Sequence, residues 1–312
     1  MVGLTASQAI IITPSLFSHE NYQDYYDNVI PFVFSCNIDQ IPEINDQVTR
    51  NPLKYWLHCI SFNLTGYPNT LLIPFAVGIL PLVYYLGYYL TNDKRVGVIS
   101  ITTITINPYY SLWVNSGTYD QVWAFFLLLS VVLLFKHQGK GIISYIISIA
   151  GKSMALTYFP MWIYSIWKIK RNPNSIIIIS SLVILLTAIA FHFNLPSMMI
   201  GSPIGFFSEN LTEALTANIS TFWMLLPLLI GMIGWSRAFK PKKQIANKSL
   251  VLVWILGVFV MTSIIHIFTQ QQTYGYRYVP LAAFVSVYLG QVIIDTYQYL
   301  KEDKLKQSVY KP

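Results

Sequence analysis

The chain has 312 residues, of which 54% are hydrophobic, 15% aromatic and only 11% charged. This composition, with a mean hydropathy of +0.50, excludes an ordinary soluble domain. It predicts an all-α polytopic membrane protein that forms a single integral membrane domain over residues 1–312. Basic loops on one side of a membrane account for the formal net charge of +7, so the charge does not require a nucleic-acid partner.

Apolar runs follow one another along nearly the whole chain. The first, 2–17, is short and contains Pro14, and we expect it to be a membrane anchor. A helix needs about 20 apolar residues to cross roughly 30 Å of hydrocarbon, because each residue adds about 1.5 Å. The later runs are close to this length or longer, and they lie at 70–90, 96–114, 119–135, 141–167, 175–193, 221–235, 249–268 and 278–299.

The run 141–167 could be one span or two short arms that turn at Gly151-Lys152-Ser153. With two arms, 16 of the 20 basic residues fall on one side and only Arg50, Lys54, Lys152 and Arg277 on the other. A single span would scatter the basic loops and leave Lys152 in the bilayer. Because cytoplasmic loops are rich in Lys and Arg, this count predicts about ten membrane helices, both termini cytoplasmic and a cytoplasmic tail at 301–312.

The opposite, outer side has two segments large enough to build a site, a first loop at 18–69 and a second at 194–220. Nine of the 13 acids fall on this side, and they are Glu20, Asp24, Asp27, Asp39, Glu43, Asp46, Asp120, Glu209 and Glu213. Cys36 and Cys59 both lie in the first loop and could pair in an oxidising compartment, which the sequence leaves open.

Several short motifs, taken in order, resemble the GT-C superfamily of membrane glycosyltransferases. They begin with Asn51-Pro-Leu-Lys-Tyr-Trp-Leu-His58 and Ile73-Pro-Phe-Ala-Val-Gly-Ile-Leu-Pro-Leu-Val-Tyr-Tyr-Leu-Gly, which resemble that family's "PPLYYWL" and "VYLLG" elements. Gly117-Thr-Tyr-Asp-Gln-Val-Trp-Ala-Phe-Phe-Leu-Leu-Leu-Ser resembles its "YD…FFLLLS" segment, and Tyr276-Arg-Tyr-Val-Pro its "RY..P" element. The likeness is to protein O-mannosyltransferase and aminoarabinose transferase families, and it is closest over 18–170.

The resemblance implies a GT-C-like helical bundle with a large first outer loop, in a cell membrane or an ER-type membrane. It implies transfer of a sugar from a polyprenyl-phosphate carrier to a hydroxyl of a glycan, lipid or protein on the extracytoplasmic face, in a mannosyltransferase-like reaction with inversion. Such a reaction needs a carboxylate base and cations that hold the departing phosphate. The outer acids and the few outer cations provide both.

The predicted base follows the first apolar run. Glu20 and Asp24 match the family's acid in two alternative registers, and Asp27 would share a helical face with both, at spacings i, i+4 and i+7. A solvated acidic face is the structural alternative. Asp120 is the predicted second acid, orienting the carrier or acceptor, with helix capping as an alternative that is compatible with this role.

Lys152 and Arg277 are the predicted phosphate ligands, with Tyr278 and Lys54 as further substrate contacts. The alternatives are that Lys152 extends to the membrane interface and that Arg277 anchors an aromatic belt. A divalent cation is left open, since no metal-ligand spacing can be identified. A non-catalytic scaffold with the same fold and a lipid or solute transporter are the competing functions, although no internal repeat supports the transporter.

Overall fold

The structure is a computed structural model, and it describes residues 33, 36, 52–68, 70–107, 110–111, 120–170, 205–213, 216, 248–268 and 278–309. The apolar runs predicted at 2–17, 175–193 and 221–235 lie outside these residues. So do Glu20, Asp24, Asp27 and Arg277.

The described residues are predominantly helical and contain no strand. Their α-helices are α1 (Pro52–Thr65), α2 (Ile73–Thr91), α3 (Lys94–Thr105), α4 (Asp120–Leu134), α5 (Gln138–Gly151), α6 (Phe159–Lys170), α7 (Lys248–Phe268) and α8 (Val279–Val309). Short 3-10 helices at Thr70–Leu72 and Ser153–Tyr158 lead into α2 and α6.

Three segments of the described chain are long and apolar enough to cross a membrane, namely Thr70–Thr91, Ser249–Phe268 and Val279–Lys301. The molecule is therefore an integral membrane protein, and its described part is helical. The total of ten spans remains a prediction.

The apolar run 141–167 is broken at the predicted turn. Helix α5 ends at Gly151, and α6 begins at Phe159 after the 3-10 helix. At about 1.5 Å per residue, α5 is roughly 21 Å long and α6 roughly 18 Å, so neither crosses a bilayer core in full. The expectation of two short arms is confirmed for this segment.

One predicted boundary is wrong. The run 96–114 is not one helix, because α3 ends at Thr105 and the Asn107 amide turns back to the Ile104 carbonyl at 3.0 Å. Pro108 explains this break, since proline disfavours a helical conformation in the residue before it. Helix α8 continues beyond its membrane-crossing segment, which ends at Lys301, through the predicted tail to Val309, where Lys, Glu and Gln favour helix.

Side-chain contacts fix the directions of the helices. Helices α2 and α4 are parallel, since the Phe75 and Phe125 rings lie 5.4 Å apart near their starts and the Tyr89 and Phe135 rings 5.3 Å apart near their ends. Helix α5 returns antiparallel to α4 after a three-residue turn, 135–137.

Two further pairs of helices are antiparallel. In α6 and α7, Trp254 donates to Ser165 at 2.8 Å, and the Tyr158 hydroxyl, just before α6, lies 3.2 Å from that of Thr262. In α3 and α8, the Thr103 hydroxyl donates to the Ser286 carbonyl at 3.3 Å, and Gly290, one turn later on α8, approaches Ser100 and Val96, which come earlier on α3.

These directions gather one set of basic residues at one end of the bundle, here called the basic end: Lys94, Arg95, Lys136, Lys140, Lys168, Lys248 and Lys301. Lys136 lies over the Tyr89 ring, 5.5 Å from its centre, and its hydrogen bond to Tyr89 raises the pKa of Lys136. The opposite end, here called the Lys152 end, holds the starts of α4 and α8 and the turn after α5.

Small residues bring α2, α3 and α8 into close contact. A Cβ placed on Gly290 of α8 would lie 2.8 Å from the Ser100 Oγ and 3.0 Å from the Val96 carbonyl oxygen of α3. Such close backbone approach is how membrane helices pack without a hydrophobic driving force between them.

We expect Gly290→Ala to lower the unfolding temperature, because the new methyl group meets the backbone of α3 and must separate the helices, at a cost of about 1–3 kcal/mol. Gly139→Ala is the matched control. Gly139 also lies in a helix, but nothing lies within 4 Å of its added Cβ, so alanine there should gain up to about 1 kcal/mol from helix propensity. Thermal unfolding in detergent compares the two variants, and equal unfolding temperatures would contradict close packing at Gly290.

Cys36 and Cys59 form a disulfide, with their Cα atoms 5.8 Å apart. This settles the pairing that the sequence left open. Since Cys59 is buried on α1, the bond ties an earlier part of the first loop to this helix.

Candidate functional site

Lys152 occupies the turn between α5 and the 3-10 helix. Its backbone is extended, with φ −157° and ψ 119°, and two hydrogen bonds hold it. The Lys152 amide donates to the Ser148 carbonyl at 3.0 Å, and the Ala155 amide donates to the Lys152 carbonyl at 2.9 Å. Only 7% of Lys152 is exposed, so the residue is buried in the protein instead of extending outward to the interface.

Buried cations are rare because removing an ammonium group from water costs several kcal/mol unless it is paired or hydrogen-bonded. Lys152 is the only Lys or Arg that is buried among the residues whose side chains the structure describes. Its burial and its fixed position in the turn make Lys152 a candidate anion-binding group in this part of the chain.

Helix α4 fixes the position of the turn. The Ser148 hydroxyl donates to the Trp123 carbonyl at 2.8 Å. One turn later, a Cβ on Gly151 would lie 3.2 Å from the Trp123 Cβ. Both contacts are made in the last turn of α5 before Lys152, so the backbone of α4 fixes the position of the Lys152 backbone.

Aromatic side chains enclose the same turn. Trp123 stacks on Tyr158 with ring centres 6.0 Å apart, and both are fully buried. The Tyr145 hydroxyl donates to the Ala155 carbonyl at 2.8 Å, and its ring stacks on Trp162 at 4.5 Å. An apolar surround of this kind excludes water and strengthens charge interactions within it.

Asp120 is brought to the same end of the bundle as Lys152. It is the first residue of α4, one turn before Trp123, and Trp123 contacts Gly151. The start of a helix is the positive end of its dipole, which favours an anion there. Asp120 is thus the first helical residue instead of the residue before the helix, where an N-cap would lie, and its side chain lies outside the described residues, so capping stays a prediction.

The other predicted site residues are less well defined. Tyr278 directly precedes α8 and is fully buried within the hydrophobic core, so its observed environment is that of a core residue. Lys54 lies on α1, with its side chain outside the described residues. Arg277, Glu20, Asp24 and Asp27 are outside them altogether.

A metal site is not formed by the described residues, which contain no cluster of three or more His, Cys, Asp or Glu side chains. Of the predicted outer acids, Glu209 and Glu213 are the ones whose side chains belong to these residues. The divalent cation therefore stays an open prediction.

The second predicted outer loop closes the end of α7. Its backbone amides at Gly205 and Phe207 donate to the carbonyls of Phe268 and Ile267, at 3.1 and 3.4 Å, and the Asn210 amide group donates to the His266 carbonyl at 3.3 Å. These carbonyls belong to the last turn of a helix and need donors from elsewhere. The loop is thus attached to the Lys152 end of the bundle.

Sequence reasoning missed the residues that position Lys152, namely Trp123, Ser148 and Tyr158. A signal was present on α5, where Gly141, Ser144, Ser148 and Gly151 recur at intervals of three or four and all face α4. Small residues at this spacing favour close packing of membrane helices.

The sequence matches no protein family profile and no curated protein. Among solved structures, the chain is similar to ArnT from Cupriavidus metallidurans bound to undecaprenyl phosphate, with a TM-score of 0.58 and 12% sequence identity. The likeness covers 99% of this chain but 63% of ArnT. It supports the GT-C fold expected from the sequence motifs.

Proposed function

We propose that the protein is a membrane glycosyltransferase that moves a sugar from a polyprenyl-phosphate carrier to an acceptor hydroxyl. The observation that carries this proposal is the buried Lys152, held in a fixed turn at one end of a bundle with the GT-C fold. ArnT, which has a similar fold, was solved with undecaprenyl phosphate. A buried ammonium group fits the phosphate of such a carrier.

The proposed chemistry is a single displacement. The acceptor oxygen attacks the anomeric carbon as the bond from that carbon to the carrier phosphate breaks, and the sugar inverts. The acceptor proton passes to a carboxylate, Glu20 or Asp24. The carrier phosphate leaves with the electron pair of the broken bond, and Lys152 together with Arg277 stabilises its charge.

The remaining predicted residues have supporting roles in this proposal. Asp120 orients the carrier or acceptor at the start of α4, and Asp27 and Lys54 complete the substrate contacts. Tyr278, which is buried in the core, would act only by packing at the start of α8.

The proposed orientation places the basic end in the cytoplasm, because loops rich in Lys and Arg stay on that side. Both termini are then cytoplasmic, and the Lys152 end faces the extracytoplasmic side. The acceptor is a glycan, a lipid or a protein that reaches that side. What supports this orientation is that the basic residues at the ends of α3 to α8 and in the turns beside them gather at one end of the bundle.

Turnover by the purified protein in lipid vesicles tests the proposal. A panel of polyprenyl-phosphate sugars, including mannose and aminoarabinose, is supplied with short glycan and peptide acceptors, and release of polyprenyl phosphate is measured. Release that depends on both protein and acceptor supports a transferase. Saturable binding of the carrier without release from any donor would instead favour a non-catalytic scaffold.

Ser148 is expected to act by positioning Lys152. Ser148→Ala removes the hydroxyl bond to Trp123, which is worth about 1 kcal/mol, and should raise the KM for the carrier sugar about 5–10-fold with a smaller change in kcat. Ser144→Ala is the matched control, because Ser144 makes the same kind of bond to Phe126 at 2.8 Å, one turn farther from Lys152.

The two serine variants should lose similar thermal stability, whereas only Ser148→Ala should change the KM. Ser148→Thr, which retains the hydroxyl, should restore it. An equal KM in both alanine variants would mean that Ser148 only holds the helices together.

A further inference from the structure

Helix α1 has its apolar and polar faces reversed relative to a helix on a water-exposed surface. Trp56, Ile60 and Leu64 are 41%, 45% and 71% exposed. They recur every four residues, so they share one side of the helix. The opposite side is fully buried and carries the polar groups of Tyr55, His58 and Ser61.

Water does not stabilise this arrangement. An amphipathic helix in water turns its apolar side to the protein and its charged side outward. The segment from Trp56 to Tyr67 contains no Asp, Glu, Lys or Arg, so its outward side has no charge to offset the exposed apolar area. Three large apolar side chains exposed on one side of a helix, with Asn63 as an exposed polar residue beside them, mark contact with another apolar phase.

The position of α1 identifies that phase. The helix is about 21 Å long, too short to cross a bilayer core. It ends only five residues before Thr70, where the membrane-crossing segment Thr70–Thr91 begins. Ser61 fixes the connection, because its hydroxyl donates to the Tyr67 carbonyl at 2.7 Å and accepts the Leu71 amide at 3.1 Å.

We propose that Trp56, Ile60 and Leu64 form a membrane-binding surface through which α1 lies in the lipid interface at the Lys152 end of the bundle. The partner is the acyl-chain boundary of bilayer lipids. Tryptophan and bulky aliphatic side chains are the residues that interfacial helices insert there. Because α1 also packs against α5, this surface brings the lipid boundary beside the hairpin that carries Lys152. The inference does not depend on sugar transfer.

Spin labels test this surface. Since both native cysteines are in the disulfide, single cysteines at Ile60 and Leu64 can be labelled selectively in the oxidised protein. Two controls are labelled in the same way. Val260 on the membrane-crossing α7 has the same exposure as Ile60, 45%, and Gly139 is exposed at the basic end. The proteins are reconstituted into phosphatidylcholine vesicles, where lipid charge cannot drive binding.

Oxygen, which partitions into lipid, should increase the spin relaxation rate of labels at 60 and 64 more than a water-soluble nickel chelate does. The label at Val260 should respond in the same way. Gly139 should show the reverse. A water-like response at 60 and 64 would overturn the proposal, and so would protection from both reagents, which would mean that protein covers the surface. Trp56→Phe provides a variant without a label, because it should remove emission that brominated phospholipids quench in the native protein. No loss of quenchable emission would also count against the proposal.

Discussion

Lys152→Ala is expected to reduce carrier-dependent sugar transfer about 10²–10³-fold, the usual effect of removing one group that stabilises developing charge. The departing phosphate gains negative charge as its bond to the sugar breaks. A cation held in a water-excluded turn stabilises that charge without having to reorganise. Initial rates at saturating acceptor, with release of carrier phosphate as the readout, measure the effect.

Lys140→Ala is the matched control, since Lys140 lies on α5, the helix that ends just before Lys152, but is exposed at the basic end, and its rate should not change. Lys152→Met retains most of the side-chain volume without the charge, so it separates loss of charge from loss of packing. Lys152→Arg should recover little, because a planar guanidinium does not fit the space of an ammonium group. Native rates in the alanine and methionine variants would remove Lys152 from the mechanism.

The break in the run 141–167 could be predicted because its evidence is chemical. A lysine in the middle of a span is costly, and the count of basic loops on each side identifies where the chain must turn. The break after Thr105 was missed although Pro108 marks it. A count of apolar residues measures hydrophobicity and does not detect a break in a helix. The segment from Ile106 to Val114 is apolar enough to resemble a continuation of the span that begins at residue 96.

Side-chain positions depend on which helices become neighbours, and composition does not report that. The sequence identifies Lys152 as an isolated cation. Its fixed position results from Trp123, which is 29 residues earlier in the chain and contacts Gly151 only because α4 and α5 are antiparallel. The disulfide is a similar case, because two cysteines in one loop become a pair only when α1 brings Cys59 to Cys36.

The GT-C likeness and the residue predictions have different physical grounds. A bundle can retain its helix directions at 12% identity, because many apolar side chains fill the same space. A catalytic acid must lie within hydrogen-bond reach of one proton, so a shift of one helical turn is decisive. The choice between Glu20 and Asp24 is a choice of this kind, and it requires measurement.

Asp24→Asn or Glu20→Gln, whichever removes the base, is expected to lower kcat about 10²–10⁴-fold, the contribution of a positioned general base. The carrier should still bind, because the amides are nearly the same size as the acids and Lys152 is unchanged. Asp120→Asn should have a smaller effect that includes the KM, in keeping with an orienting role. Single-turnover rates and carrier binding are measured for each variant.

Glu209→Gln is the control, because Glu209 is an exposed acid in the second predicted outer loop and has no assigned role. The pH dependence adds a second criterion. A carboxylate base must be ionised to accept the acceptor proton, so the native kcat should fall as pH drops through its pKa, and the variant without the base should lose this dependence. If all three acid variants retain native kcat while Lys152→Ala does not, the carrier site would stand and the proposed base would have to be sought elsewhere in the chain.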